Sequence, residues 1–185
     1  AFQYPNRAAT LIPTKMAVSA ISKGQGEGNY FIRRPKFLIG KGLTGAERGN
    51  AVHKFMQFAS YEAARDNPAG EIARLVERAF LTPQQGEAVD PAKIAAFFAS
   101  PLGRELMAST SLRREFKFSI LVPAADYYPQ AGAEEQVLLQ GVVDCCFETL
   151  EGITVVDFKT DRVDRRSVAA RAEEYRPQLA AYSRA

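Results

Sequence analysis

Histidine occurs once in these 185 residues, tryptophan not at all, and cysteine twice. The two cysteines are adjacent, Cys145 and Cys146, and neighbours in a strand point to opposite faces and do not readily bridge. Neither a disulfide framework nor a thiolate-held cluster can be built from them, which fits a reducing compartment such as the bacterial cytoplasm. No apolar run approaches the roughly 20 residues that a membrane-spanning helix needs, and no charged leader precedes an apolar stretch. Charge of one sign is not in large excess either: 24 Lys and Arg stand against 21 Asp and Glu, a net +3. That balance is compatible with nucleic acid without pointing to it, so the distribution of charge matters more than its total. Internal repeats and tracts of biased composition are missing as well. What remains is an ordinary globular composition, 46% hydrophobic and 24% charged, long enough for one domain over residues 1–185 with a sizeable core. The last residues, Tyr182 to Ala185, read as helix without a stop signal, so a C-terminal fragment of a longer chain is expected.

The most informative stretch is 139–161. Two runs of β-branched and aromatic residues flank a segment ending at Gly152, a hairpin signal of the longer-loop kind. With Thr149 to Gly152 as a four-residue loop, Glu148 pairs with Ile153, and counting back sets Asp144 opposite Asp157. Directly opposed carboxylates lie roughly 5 Å apart at Cβ and repel, so positive charge is required between them. Lys159, two residues beyond Asp157, projects from the same face, while Val156 and Phe158 point the other way into a core. A divalent cation is the simplest source of the remaining charge, because hard cations such as Mg²⁺ take one or two carboxylates and keep several waters. A surface hairpin with solvated charges is the simpler alternative, but Gly141-Val142-Val143 ahead of Asp144 is too apolar for a wet edge.

Elsewhere the pattern is mostly helical. Thr44-Gly45-Ala46-Glu47 has capping-box spacing and opens a helix expected to run to Ala64, with Val52, Phe55, Met56, Ala59 and Ala63 as its core stripe. His53 sits one position round from that stripe, and Gly49, one turn earlier, leaves room for a backbone or a ligand to approach. Thr14 to Ser22 reads as a short helix with Val18 and Ile21 inward. Residues 24–42, with five glycines and Arg33, Arg34, Lys36 and Lys41, read either as a solvated connector or as a loop that contacts phosphates. Helices are expected over 70–81, after an Asp90 N-cap and after a Ser100 N-cap, the last two with Pro at the first position. Their core candidates are Ile72, Leu75, Val76, Phe80, Ile94, Phe97, Phe98, Leu102 and Leu106, and no chemistry is assigned to them. Arg113 to Val122 alternates as a strand and completes an antiparallel meander with strands over 138–147 and 153–159. A charged helix over 164–174 follows, with a new turn at Pro177; Gln178 and Tyr182, four apart, share a face.

At these residues the chain resembles the PD-(D/E)xK nuclease superfamily, and within it the RecB/AddA branch. The resemblance rests on Gly141 to Asp144, on Val155-Val156-Asp157-Phe158-Lys159-Thr160-Asp161, on Glu47-Arg48-Gly49-Asn50-Ala51-Val52-His53, and on Gln178 with Tyr182, in that family's order. Asn50 stands where the family commonly has Thr. The resemblance implies a restriction-endonuclease-like α/β core, a mixed and mainly antiparallel sheet flanked by helices. It implies phosphodiester hydrolysis with Mg²⁺, or Mn²⁺, held by His53, Asp144, Asp157 and the carbonyl of Phe158. Asp144, Asp157 and Lys159 would be the catalytic set, Gln178 and Tyr182 would position the substrate backbone, and Glu115 would be auxiliary. It further implies DNA, in single strands, as partner; a second, AddB-type protein; and ATP used only by a helicase domain outside this chain, in double-strand-break end resection. A stand-alone RecB-like exonuclease and a non-cutting module that binds DNA ends stay open as alternatives, whereas two cysteines are too few for a relative built on an iron–sulfur cluster.

Overall fold

The computed structural model describes residues 9–21, 43–161 and 163–185. The glycine-rich basic segment with Arg33, Arg34, Lys36 and Lys41 lies outside them. In chain order the elements are β1 (Lys15–Ala17), α1 (Val18–Ile21), α2 (Gly45–Phe58), α3 (Tyr61–Asp66), α4 (Pro68–Glu77) and α5 (Pro83–Ala88). They are followed by α6 (Pro91–Ala99), α7 (Pro101–Ala108), β2 (Arg113–Pro123), β3 (Gln136–Thr149), β4 (Gly152–Val156) and α8 (Val168–Tyr182). The architecture is α/β, a four-stranded mixed sheet flanked by helices. β3 neighbours β2 and also pairs with β1 and β4. None of the described helices is long and apolar enough to cross a membrane.

Two compact units share these elements: residues 1–30, 117–143 and 163–185 make one, and residues 31–116 and 144–162 the other. In the first, β1 runs parallel to β3, with Lys15 to Ala17 facing Leu138 to Gln140. Thr14 to Ala17 is therefore not the start of a helix as its sequence suggests. Three residues carry too little periodicity to reveal a strand whose partner is more than a hundred positions away. Val18 is fully buried as expected. A Cβ on Gly141 would lie 2.6 Å from the Phe118 ring, so only glycine lets that ring rest against β3. Phe118 in turn meets Tyr182 edge-on, with centroids 5.9 Å apart. Pro177 lies inside α8 rather than starting a new turn, and the helix begins later than expected, because Asp164 accepts from the N–H groups of Arg166 and Ser167 and holds a turn ahead of it.

The second unit holds the larger core. Thr44 caps α2 with the expected reciprocal bonds to Glu47. The helix nevertheless stops at Phe58 instead of Ala64. Ser60 caps α3, accepting from the N–H of Ala63, while its own N–H goes to the buried carboxylate of Glu71 at 2.7 Å. Arg74 grips the same carboxylate through Nε at 2.7 Å and Nη2 at 2.5 Å. Arg114 of β2 closes the other side of the break, donating to the carbonyls of Met56 and Ala59 at 3.2 and 2.7 Å while its guanidinium lies over the Tyr61 ring. The resulting bend places Ala64 in the core and leaves Ala63 outside it. α4 ends at Glu77, short of Leu81, and the sequence reading missed α5 altogether; Thr82 and Gln85 cap it reciprocally. Phe55, Leu75, Phe98, Leu106, Cys145 and Phe147 are central to the core, whereas Phe80 and Leu102 face outward. Phe80 instead stacks on Phe58 at 4.8 Å.

β3 and β4 pair antiparallel with Cys145 facing Val156 and Glu148 facing Ile153, the register the sequence predicts. The turn is tighter than expected, since Thr149 pairs with Gly152 and only Leu150 and Glu151 lie between. β4 also stops at Val156, short of the expected 159, so Asp157, Phe158 and Lys159 leave the ladder just past its last pair.

Candidate active site

His53, Asp144, Asp157, Phe158 and Lys159 come together in the second unit. α2 presents His53 because its opposite side is fixed by Ala51, Phe55 and Met56 in the core. β3 presents Asp144 beside Cys145, which is fully buried and whose thiol burial pushes up to about 12. The segment leaving β4 presents the other three, anchored by Phe158, whose ring meets Phe97 edge-on at 5.4 Å.

Asp144 is the junction. Its Oδ1 lies 3.0 Å from His53 Nδ1, and its Oδ2 accepts the backbone N–H of Phe158 at 2.7 Å. Asp157 forms an ion pair with Lys159. The side chains of Asp144 and Asp157 are only 11% and 6% exposed, which rules out the wet surface hairpin. His53 and Lys159, at 32% and 30%, reach toward solvent.

The electrostatics follow from this placement. The hydrogen bond to Asp144 raises the His53 pKa above its ordinary value against the opposing effect of burial. Burial raises that of Asp157, opposed by Lys159, and the charge of Asp144 adds to the rise. Each buried carboxylate therefore has its own cationic or hydrogen-bonding partner, the compensation a buried charge requires.

The donor set suits a hard divalent cation in part. Two ligands on adjacent corners of an octahedron of radius about 2.1 Å lie about 3.0 Å apart, which is the separation of His53 Nδ1 and Asp144 Oδ1. Asp157 interacts electrostatically with both His53 and Asp144, but its carboxylate is turned to Lys159. Among the described residues no three His, Cys, Asp or Glu side chains gather as a metal cluster.

The remaining sequence candidates are placed as follows. Gln178 Nε2 donates to the Tyr182 hydroxyl at 2.8 Å, and both residues are buried in the first unit. Glu115 belongs to the second unit and has φ +52°, an uncommon conformation for a residue with a side chain. Gly49 faces Thr160: a Cβ there would stand 3.2 Å from the threonine Oγ1, so the close approach expected at this glycine is made by the segment that carries Lys159. The sequence reading missed a cavity of about 370 Å³ beside Lys159, walled by Val52, Met56, Ile94, Phe97 and Phe158. The only advance signal was the run of aromatic residues in α6, which reads equally well as core.

Residues 29–185 match the model of the PD-(D/E)XK nuclease superfamily, and the chain belongs to that family. Among individual proteins it is similar to an ATP-dependent helicase/nuclease subunit of Moorella thermoacetica, 39% identical over the whole chain and 14% of that protein. The protein of the same name from Acetivibrio thermocellus is 37% identical over the whole chain and 16% of its own length. That of Geobacillus kaustophilus is 42% identical over 80% of the chain and 12% of its own length. The chain thus spans about one-seventh of these relatives.

Proposed function

We propose that this chain hydrolyses the phosphodiester bonds of DNA with a divalent cation, Mg²⁺ or Mn²⁺, held by His53, Asp144, Asp157 and the carbonyl of Phe158. The observation that carries the reading is the double engagement of Asp144, with His53 on one oxygen and the N–H of Phe158 on the other. Family membership gives the reaction class. When bound, the cation polarises the phosphoryl group and acidifies a water.

The chain's own residues supply the rest. Lys159, held against Asp157 and open to solvent on one side, donates hydrogen bonds to the attacking water and to the phosphoryl oxygens as negative charge builds on them. Buried Asp157 keeps that ammonium in place. Gln178 and Tyr182 position the strand backbone, with Glu115 auxiliary. Contacts made mainly to phosphates carry little sequence information and weaken with salt.

The names of the relatives extend the reading to context: the chain acts as the nuclease domain of an AddAB-type helicase–nuclease in the bacterial cytoplasm. A motor on the same polypeptide uses ATP to feed single strands to the site, beside an AddB-type partner, in double-strand-break resection. The test is cleavage of end-labelled single-stranded DNA with Mg²⁺ or EDTA by the wild type, Asp144→Ala and Lys159→Ala, paired with calorimetric titration of Mn²⁺. Both variants lose cleavage, and only Asp144→Ala loses metal binding. Cleavage in EDTA, or full activity in either variant, overturns the assignment.

A further inference from the structure

We infer that the cavity beside Lys159 is a subsite for one unpaired nucleobase next to the scissile phosphate. The inference rests on the nuclease reading above and specifies the substrate that reading leaves open. The cavity lies wholly within the second unit, and its volume of about 370 Å³ falls near the lower end of the roughly 300–1,000 Å³ typical of small-molecule pockets, a size suited to a nucleoside.

Its walls are apolar and aromatic: Val52 and Met56 from α2, Ile94 and Phe97 from α6, and Phe158 from the segment after β4. Aromatic and apolar walls accept the face of any base, because every base has a π-face. At the rim stand Arg48, Lys93 and Lys159, with Asp90 and Asp161 also lining the space. Asp90 turns its carboxylate to the N–H of Ala92 at the start of α6, and Arg48 donates to the carbonyl of Leu43. Among the described residues, Lys93 makes no ion pair and stands exposed, placed to meet the phosphate of a nucleotide whose base enters the pocket.

The position relative to the chemistry is what makes this a substrate site. Phe158 forms part of the wall through its ring, and its backbone N–H is bonded to Asp144. Lys159 belongs at once to the rim and to the pair with Asp157. A strand whose phosphate lies at Lys159 therefore has an adjacent base within reach of the pocket. A base in a duplex has its faces stacked and its edge paired, and entering such a pocket requires leaving the helix, at a cost smallest for a strand already single. The subsite thus selects single or frayed strands and tolerates any sequence.

The experiment uses the intact polypeptide with Mg²⁺ and a labelled single strand in which one abasic residue is walked past a fixed cleavage position. Cleavage by the wild type is expected to fall about tenfold, the size of one lost base–aromatic contact, at one register and to be unchanged at the others. Ala88→Trp, which places an indole in the cavity, is expected to raise KM for the normal strand and to abolish the difference between normal and abasic strands. Equal cleavage at every register, with Lys159→Ala still inactive, overturns the subsite and leaves the nuclease reading standing. Cleavage by Lys159→Ala at the wild-type rate overturns both.

Discussion

Asp144 ends the β3–β4 ladder with its side chain: its Oδ2 takes the N–H of Phe158, a donor that a strand carbonyl would otherwise accept. The backbone of the Asp-x-Lys segment is thereby released from the sheet at the point where its side chains are needed. Asp144→Asn keeps a carbonyl oxygen for Phe158 and removes the charge, whereas Asp144→Ala leaves the N–H without its acceptor. DNA cleavage should be lost in both. Urea unfolding should place Asn close to the wild type and Ala lower by roughly 1–3 kcal/mol, the cost of stranding a buried donor.

Gly49→Ala separates stability from activity. Alanine favours a helix interior over glycine by about 1 kcal/mol, but its methyl group stands tight against Thr160, the residue after Lys159. A midpoint of thermal unfolding at or above that of the wild type, together with a several-fold lower kcat, is the expected result. Gly49→Ala combined with Thr160→Ala should recover most of the rate, since the second change removes the atom that is struck.

Acid stability should report on Glu71. Arg74 holds its carboxyl below the ordinary glutamate range, against the opposing effect of burial. A pKa depressed by folding contributes stability that is complete above the unfolded value, about 4.3 for glutamate, and is lost as pH falls through the lower folded value. Glu71→Gln should therefore be less stable than the wild type at neutral pH, and the gap should close in strong acid. Unfolding free energies measured from pH 7 downward give the two curves, and parallel curves would refute the role.

Gly141→Ala should displace the Phe118 ring and cost roughly 1–3 kcal/mol, as overpacking does. Phe118→Leu in the same chain should return part of that loss. Tyrosine fluorescence is a second readout, because Phe118 touches Tyr182 and its displacement changes the environment of that phenol.

Local chemistry made much of this legible in advance. The register of β3 and β4 follows from period-two alternation on both sides of a turn, and the caps at Thr44, Asp90 and Ser100 from side chains acting within three residues. The errors share a cause: the deciding partner was distant. β1 exists only through its pairing with β3. The break after Phe58 needs Glu71 and Arg114, neither visible from a helical stripe that runs on to Ala64. Phe80 reads as core until its stacking on Phe58 is known. At the site, sequence spacing identified which side chains converge, yet not that Asp144 would hold the Phe158 backbone or that Asp157 would be turned to Lys159. Those outcomes depend on which buried charge is nearest to which donor.

Ser100 is both the last cap of α6 and the first of α7: its hydroxyl donates to the Phe97 carbonyl at 2.6 Å and accepts from the Gly103 N–H at 3.0 Å. The corner has no spare residue, so an insertion there would turn one helix about 100° against the other. The wall that Phe97 offers beside Lys159 is thus indexed by a single oxygen atom, and length variation in this part of the chain is better tolerated at the Leu150–Glu151 turn than between these two helices.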